Sequence, residues 1–137
     1  MKSQRIAEII KHLGGRDLDP HYLGFFECFN KELFYEAHEV LEVLWLPQRQ
    51  SADGAFFKGL IQLAGAFVHL QKGRPKPALA LLRLARVNLQ SYQGLHHHLD
   101  IKSVLTLIDD WRERIEIASA LSPLANGPNT APKLYLV

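Results

Sequence analysis

Hydrophobic residues recur at helical spacing along most of this chain, whereas the strict alternation typical of strands never runs far. This pattern predicts six helices, and a glycine or a proline follows most of them. Their approximate bounds are residues 3–13, from residue 20 onward, 31–46, 53–72, 77–93 and 101–121. We therefore predict an all-α fold, a compact bundle of about six helices arranged as αα-hairpins with an extended C-terminal tail.

A chain of 137 residues fits one domain. We assign residues 1–121 to a single all-helical domain and residues 122–137 to the extended C-terminal tail. The tail is rich in proline, asparagine and glycine, which excludes a long helix. Its apolar end, Leu134–Val137, either docks on the domain or frays.

The predicted fourth helix is apolar almost all the way round, which places it at the centre of the bundle. Its few polar side chains, Lys58, Gln62 and His69, fall within a sector of about 40° on a helical wheel, and Gly65 lies at the edge of that sector. A buried polar group without a partner costs about 1–3 kcal/mol. This polar stripe therefore needs partners from another element.

The predicted third helix is the natural supplier, because only a short loop separates it from the fourth. Its polar side chains form one compact sector, and His38 and Glu42 are neighbours four residues apart. We expect a semi-enclosed binding pocket between these two helices. Its predicted lining is Tyr35, His38, Glu42, Trp45, Lys58, Gln62 and His69. Two alternatives stay open: the groups satisfy one another as a structural network, or the stripe meets water.

Two segments carry a resemblance to a known family, and a weaker third follows them. They read FNKELFYEAHEVLEVLW (Phe29–Trp45), FFKGLIQLAGAFVHLQKG (Phe56–Gly73) and ALALLRLARVNLQSY (Ala78–Tyr92). With them the chain resembles the domain of unknown function 309 family, small α-helical proteins of bacteria, archaea and plastids, over residues 24–95 or so.

The family pattern is an HExxE-like helix followed by GLIQxA and a later histidine. The chain keeps Phe29, Asn30, His38, Glu39, Glu42, Trp45, Gly59, Gln62 and His69. It has GRPKP where the family often has Gly-Asn after the later histidine. The resemblance implies an all-α bundle and no established activity, so it assigns no catalytic residue.

A metal site is one chemistry that fits these residues. HEVLE resembles half of the H-E-x-x-H helix of zinc proteases. His38, Glu42 and His69 supply two imidazoles and a carboxylate, a set that suits zinc or iron. Glu39 is then the candidate general base. This hypothesis describes a metal-dependent, hydrolase-like enzyme with a divalent metal ion as its cofactor.

Two other classes compete with it. A His–Glu pair without a metal could perform acid–base chemistry, but no nucleophile elbow or phosphate-binding glycine motif accompanies it. A ligand- or protein-binding module needs only the groove between paired helices. We favour the binding module, and the sequence leaves open both its ligand and whether the protein is an enzyme.

The net charge and the short apolar runs argue against two classes of partner, nucleic acids and membranes. The formal net charge of +2 argues against a dedicated nucleic-acid binder, which usually has a concentrated basic face. No apolar run approaches the roughly 18 residues of a membrane span, and the polar start MKSQRIAEII is unlike a secretory signal. The helices show no exposed heptad seam, and self-association stays open.

Cysteine and histidine content complete the picture. Cys28 is the only cysteine, which excludes a disulfide within the chain and indicates a reducing, cytoplasmic location. Its apolar neighbours indicate a packed thiol rather than a nucleophile. The HHH sequence at residues 96–98 is interpreted as a solvated turn, with adventitious metal binding as the alternative.

Overall fold

Six α-helices and one short antiparallel β-hairpin form the part of the chain that the computed structural model describes, which is residues 2–121 and 131–137 without the side chains of residues 120 and 121. The helices are α1 (Lys2–Ile10), α2 (Pro20–Asn30), α3 (Phe34–Trp45), α4 (Gly54–Gln71), α5 (Pro75–Leu89) and α6 (Ile101–Leu121). The strands are β1 (Leu95–His96) and β2 (Leu99–Asp100). A 3₁₀ turn, Leu46–Gln48, follows α3. The predicted all-α bundle is confirmed.

Local signals set several helix boundaries. Asp19 precedes α2, and its carboxylate accepts a 2.7 Å hydrogen bond from the backbone N–H of His21, as expected for an N-cap before Pro20. Helix α3 begins at residue 34 rather than at residue 31. The reason is Glu32, whose φ of 63° lies in the left-handed region and interrupts the helix between α2 and α3.

Helix α4 lies at the centre of the bundle, as its apolar sequence predicts. It packs most extensively against α5 and also against α3, while α3 packs on α2 and α5 on α6. Aromatic side chains fill the junction between α2, α3 and α4: the ring centroid of Phe67 lies 5.8 Å from that of Phe29 and 5.2 Å from that of Phe34. Two αα-hairpins, α3–α4 and α5–α6, are thus joined through a close α4–α5 contact.

The residues after 130 dock on the domain. Leu134 is buried, and its backbone exchanges two hydrogen bonds with the Asn30 side chain at 2.7 and 2.8 Å. The backbone N–H of Val137 donates to the carbonyl oxygen of His98 at 2.7 Å. Of the two alternatives for the apolar end, docking is the one observed. The predicted start of the tail, residues 122–130, lies outside the described residues.

Cys28 is buried in α2, as its neighbours predict. Burial raises the pKa of the thiol to about 11, because the thiolate would lose its hydration there. This environment is that of a packed core residue and not of a reactive nucleophile.

Candidate functional site

Helix α3 carries a polar edge because its apolar residues, such as Ala37 and Val40, turn into the core. His38 Nε2 lies 3.5 Å from Glu42 Oε2, the contact expected at a spacing of four residues. The ring centroid of the exposed Tyr35 lies 5.9 Å from that of His38. These three side chains lie together along one edge of the helix.

Helix α1 covers the acidic residues of that edge, a contact that we did not predict. Glu39 is only 3% exposed, and Arg5 holds it with one hydrogen bond of 3.1 Å from Nε and a shorter one from Nη2. Lys2 Nζ lies 3.0 Å from Glu42 Oε1. The sequence signal was a basic pair three residues apart beside the apolar Ile6 of α1. The role of Glu39 as a general base stays a prediction.

The polar stripe of α4 lies between α3 and α5 rather than against α3 alone. Gln62 Oε1 accepts a 2.7 Å hydrogen bond from Asn88 Nδ2 on α5. Lys58 Nζ lies 5.6 Å from the ring centroid of Trp45, the last residue of α3. His69 is half-buried near the end of α4. Part of the hydrogen-bonding capacity of the stripe is therefore satisfied by α5, a helix that the sequence analysis did not predict as its partner.

Five of the seven predicted pocket residues fall into two sets. Tyr35, His38 and Glu42 lie on the α3 edge near α1, whereas Trp45 and Lys58 meet at the other end of α3. Within residues 2–121 no side-chain hydrogen bond or ion pair joins one set to the other. The predicted semi-enclosed pocket between α3 and α4, which also includes Gln62 and His69, stays a prediction.

A cavity of about 290 Å³ opens where α3, the 3₁₀ turn, α4 and α5 meet. We call it the basic pocket, and its lining is Trp45, Arg49, Gln50, Gly54, Ala55, Lys58 and Asn88. Trp45 and Lys58 were predicted as pocket residues, and the other five were not. Gly54 permits the wall to close, because a Cβ at that position would overlap the carbonyl oxygen of Arg49.

Buried polar atoms without a hydrogen-bond partner concentrate on α3 and α4. Three of the four found among the described residues are His38 Nδ1, Trp45 Nε1 and His69 Nδ1, and the fourth is Arg112 Nε. Such atoms cost about 1–3 kcal/mol each when they stay unpaired. Trp45 is the member of this set that also lines the basic pocket. Its indole N–H is a donor only, and the Nε1 atom itself is buried.

The predicted metal ligands are His38, Glu42 and His69, of which His38 Nε2 and Glu42 Oε2 lie 3.5 Å apart. Across residues 2–121 and 131–137, one group of three His, Cys, Asp or Glu side chains has its donor atoms within 4.8 Å of one another, and it consists of Asp53, His96 and His97. The metal-enzyme hypothesis for the α3 and α4 residues stays a prediction. Metal analysis of protein purified without chelators tests it.

Residues 22–81 match the family described as Domain of unknown function (DUF309). The match supports assignment of this segment to the DUF309 family. It runs from α2 into α5 and so includes α3, α4 and most of the basic pocket, while Asn88 lies beyond its end. The predicted resemblance is confirmed. Searches of curated proteins and of solved structures found no match. Of the helices described, none has the length and apolar character that crossing a membrane requires.

Proposed function

We propose that this DUF309 protein is a ligand-binding module whose basic pocket holds a small organic anion. The observation that carries the proposal is the charge of the pocket wall, which includes Arg49 and Lys58 and no acidic side chain. Neither cation forms an ion pair with any other residue of the described chain. The guanidinium of Arg49 has one long hydrogen bond, 3.4 Å to the carbonyl oxygen of Leu46.

Two such cations favour a carboxylate or phosphate, because hydrogen bonds between ionised groups are about twice as strong as neutral ones. Trp45 supports the apolar part of such a ligand. Its ring, which already packs under Lys58, offers an apolar surface to the body of the ligand. An aromatic or otherwise apolar acid fits this combination better than a bare inorganic ion.

The size of the pocket favours a small molecule over a protein partner. A volume of about 290 Å³ lies at the lower limit of ligand sites, which span roughly 300–1,000 Å³. A stable protein–protein contact needs roughly 800 Å² from each partner, far more than the mouth of such a cavity supplies. The proposed ligand is therefore a compound of metabolite size.

Isothermal titration calorimetry with benzoate and, separately, with inorganic phosphate tests the proposal. Wild type should bind benzoate more tightly than phosphate. Lys58→Gln and Arg49→Gln should each weaken benzoate binding by about tenfold, the effect of losing one charge-assisted hydrogen bond of roughly 1.4 kcal/mol. Lys72→Gln is the matched control, because it removes the same charge at the end of α4 from a residue that does not line the basic pocket.

Circular dichroism of each variant checks that the helices are intact. If Lys72→Gln weakens binding as much as Lys58→Gln does, the anion responds to overall charge and not to the pocket. If wild type binds neither probe at millimolar concentrations, the basic pocket is not an anion site.

A further inference from the structure

The connection between α5 and α6 is a tight hairpin built from the HHH segment. Leu95 pairs with Asp100 and His96 with Leu99, which leaves His97 and His98 at the turn. Both turn residues have positive φ, 48° and 64°, as two-residue hairpin turns of type I′ require. The segment is a turn with both His97 and His98 exposed, as interpreted from the sequence, and it closes a hairpin.

Two imidazoles of this hairpin converge on one carboxylate. His96 Nε2 lies 2.7 Å from Asp53 Oδ1, and His97 Nε2 lies 2.8 Å from Asp53 Oδ2. Asp53 immediately precedes α4, so the cluster ties the hairpin to the start of the central helix. The three side chains are 28–38% exposed, which leaves the cluster open to solvent on one side.

Aromatic rings hold the imidazoles in place. The centroid of the His96 ring lies 4.5 Å from that of Tyr92 and 4.7 Å from that of Phe56. The His97 ring stacks on Phe57 at 5.9 Å with an interplanar angle of 15°. Side chains fixed by packing before a ligand arrives are what a precise binding site requires.

The backbone of the turn is anchored as well. The buried Tyr22 hydroxyl donates a 2.8 Å hydrogen bond to the carbonyl oxygen of His97. At the next residue, His98, the backbone carbonyl accepts from Val137 and the imidazole Nδ1 lies 2.9 Å from the carbonyl oxygen of Val137. His98 therefore belongs to the tail contact and not to the cluster around Asp53.

We propose that Asp53, His96 and His97 form a zinc-binding site, separate from the basic pocket. Two imidazoles and one carboxylate are a known ligand set of sites in which zinc keeps its fourth position for water. Ligand atoms about 2.0–2.1 Å from a tetrahedral zinc lie about 3.3 Å from one another. One ligand atom from each of the three residues lies within 4.8 Å of the other two. The observed nitrogen–oxygen separations of 2.7 and 2.8 Å run to different oxygens of Asp53 and are about half an ångström shorter, a change that small side-chain rotations supply.

The alternative is that Asp53 joins the two histidines only as a structural hydrogen-bond network. A zinc site and a hydrogen-bond network require different protonation of the two imidazoles. Zinc needs the lone pair of each Nε2, so binding removes any proton held between imidazole and carboxylate. A network keeps its protons and has no affinity for the ion. Metal titration therefore separates the two.

The test is calorimetric titration of Zn²⁺ into the full chain after treatment with a chelator. Wild type should bind one zinc ion per chain, and His97→Gln and Asp53→Asn should each weaken binding by at least about tenfold. His98→Gln is the matched control in the same turn. His21→Gln is a second control, because His21 pairs with a single carboxylate, Asp19, at 3.1 Å. Both controls should bind zinc as wild type does.

Cobalt(II) gives a readout that does not depend on the variants folding. Wild type should develop the intense visible absorption of a tetrahedral cobalt ion, saturating at one equivalent, and zinc should displace it. Zinc affinity unchanged by His97→Gln, or equal loss in His97→Gln and His98→Gln, would overturn the site. So would wild-type protein that binds neither ion stoichiometrically.

Discussion

Alanine at Gly59 should destabilise the protein, because α4 and α5 touch most closely there. A Cβ at Gly59 would lie 2.7 Å from Cγ of Leu89 and 3.3 Å from the carbonyl oxygen of Ala85. Neither neighbour can swing away, since one is the branch point of a fully buried side chain and the other is backbone. Overpacking of this kind costs about 1–3 kcal/mol, against a gain of about 1 kcal/mol from replacing glycine in a helix. We expect a net loss of up to about 2 kcal/mol.

Gly65→Ala is the matched control in the same helix. A Cβ there would meet only Cδ1 of Leu81, at 3.3 Å, and this flexible end of a half-buried side chain can move. The helix-propensity gain should prevail, so Gly65→Ala should be neutral or more stable by up to about 1 kcal/mol. Urea unfolding followed by circular dichroism measures both free energies. Equal effects of the two substitutions would refute the close α4–α5 crossing that forms one wall of the basic pocket.

Three further outcomes follow from single contacts. Cys28, with its pKa raised to about 11 by burial, should resist iodoacetamide at pH 8 in the native protein and react fully in urea, as mass spectrometry can show. Asn30→Ala removes both hydrogen bonds to Leu134, so amide hydrogen exchange of residues 131–137 should accelerate while that of the core helices does not. The pKa of Asp109 lies below its usual value because Arg86 donates two hydrogen bonds to it, at 2.8 and 3.0 Å. The stabilisation of the folded state by this ion pair is complete above the unfolded pKa of about 3.9, and it disappears as the pH falls through the lower pKa of the folded state. The small difference in unfolding free energy between wild type and Asp109→Asn should therefore shrink from pH 5 to pH 2.

Helices were predictable where the deciding residues are adjacent in the chain. Asp19 and Pro20 mark the start of α2, and the predicted span Ile101–Leu121 matches α6 at both ends. The start of α3 was not predictable in this way. Lys31 and Glu32 are ordinary helix formers, and only the structure shows Glu32 in the left-handed conformation that separates α2 from α3.

In the candidate site, contacts between residues far apart in the chain were also not predictable from the sequence. Periodicity alone placed Lys58 and Gln62 on one stripe of α4, since both lie within a single helix. Which helix faces that stripe depends on packing, and Gln62 pairs with Asn88 of α5 rather than with α3. The zinc-site proposal is harder still to anticipate, because Asp53 and His97 are 44 residues apart.

The most direct test of anion binding uses the two tryptophans of the chain in one NMR spectrum. Trp45 lines the basic pocket, whereas Trp111 packs on Phe67 of the core with ring centroids 5.1 Å apart. During a benzoate titration, the indole N–H resonance of Trp45 should shift and saturate while that of Trp111 stays fixed. A stationary Trp45 resonance, or equal shifts of both resonances, would contradict the proposed function.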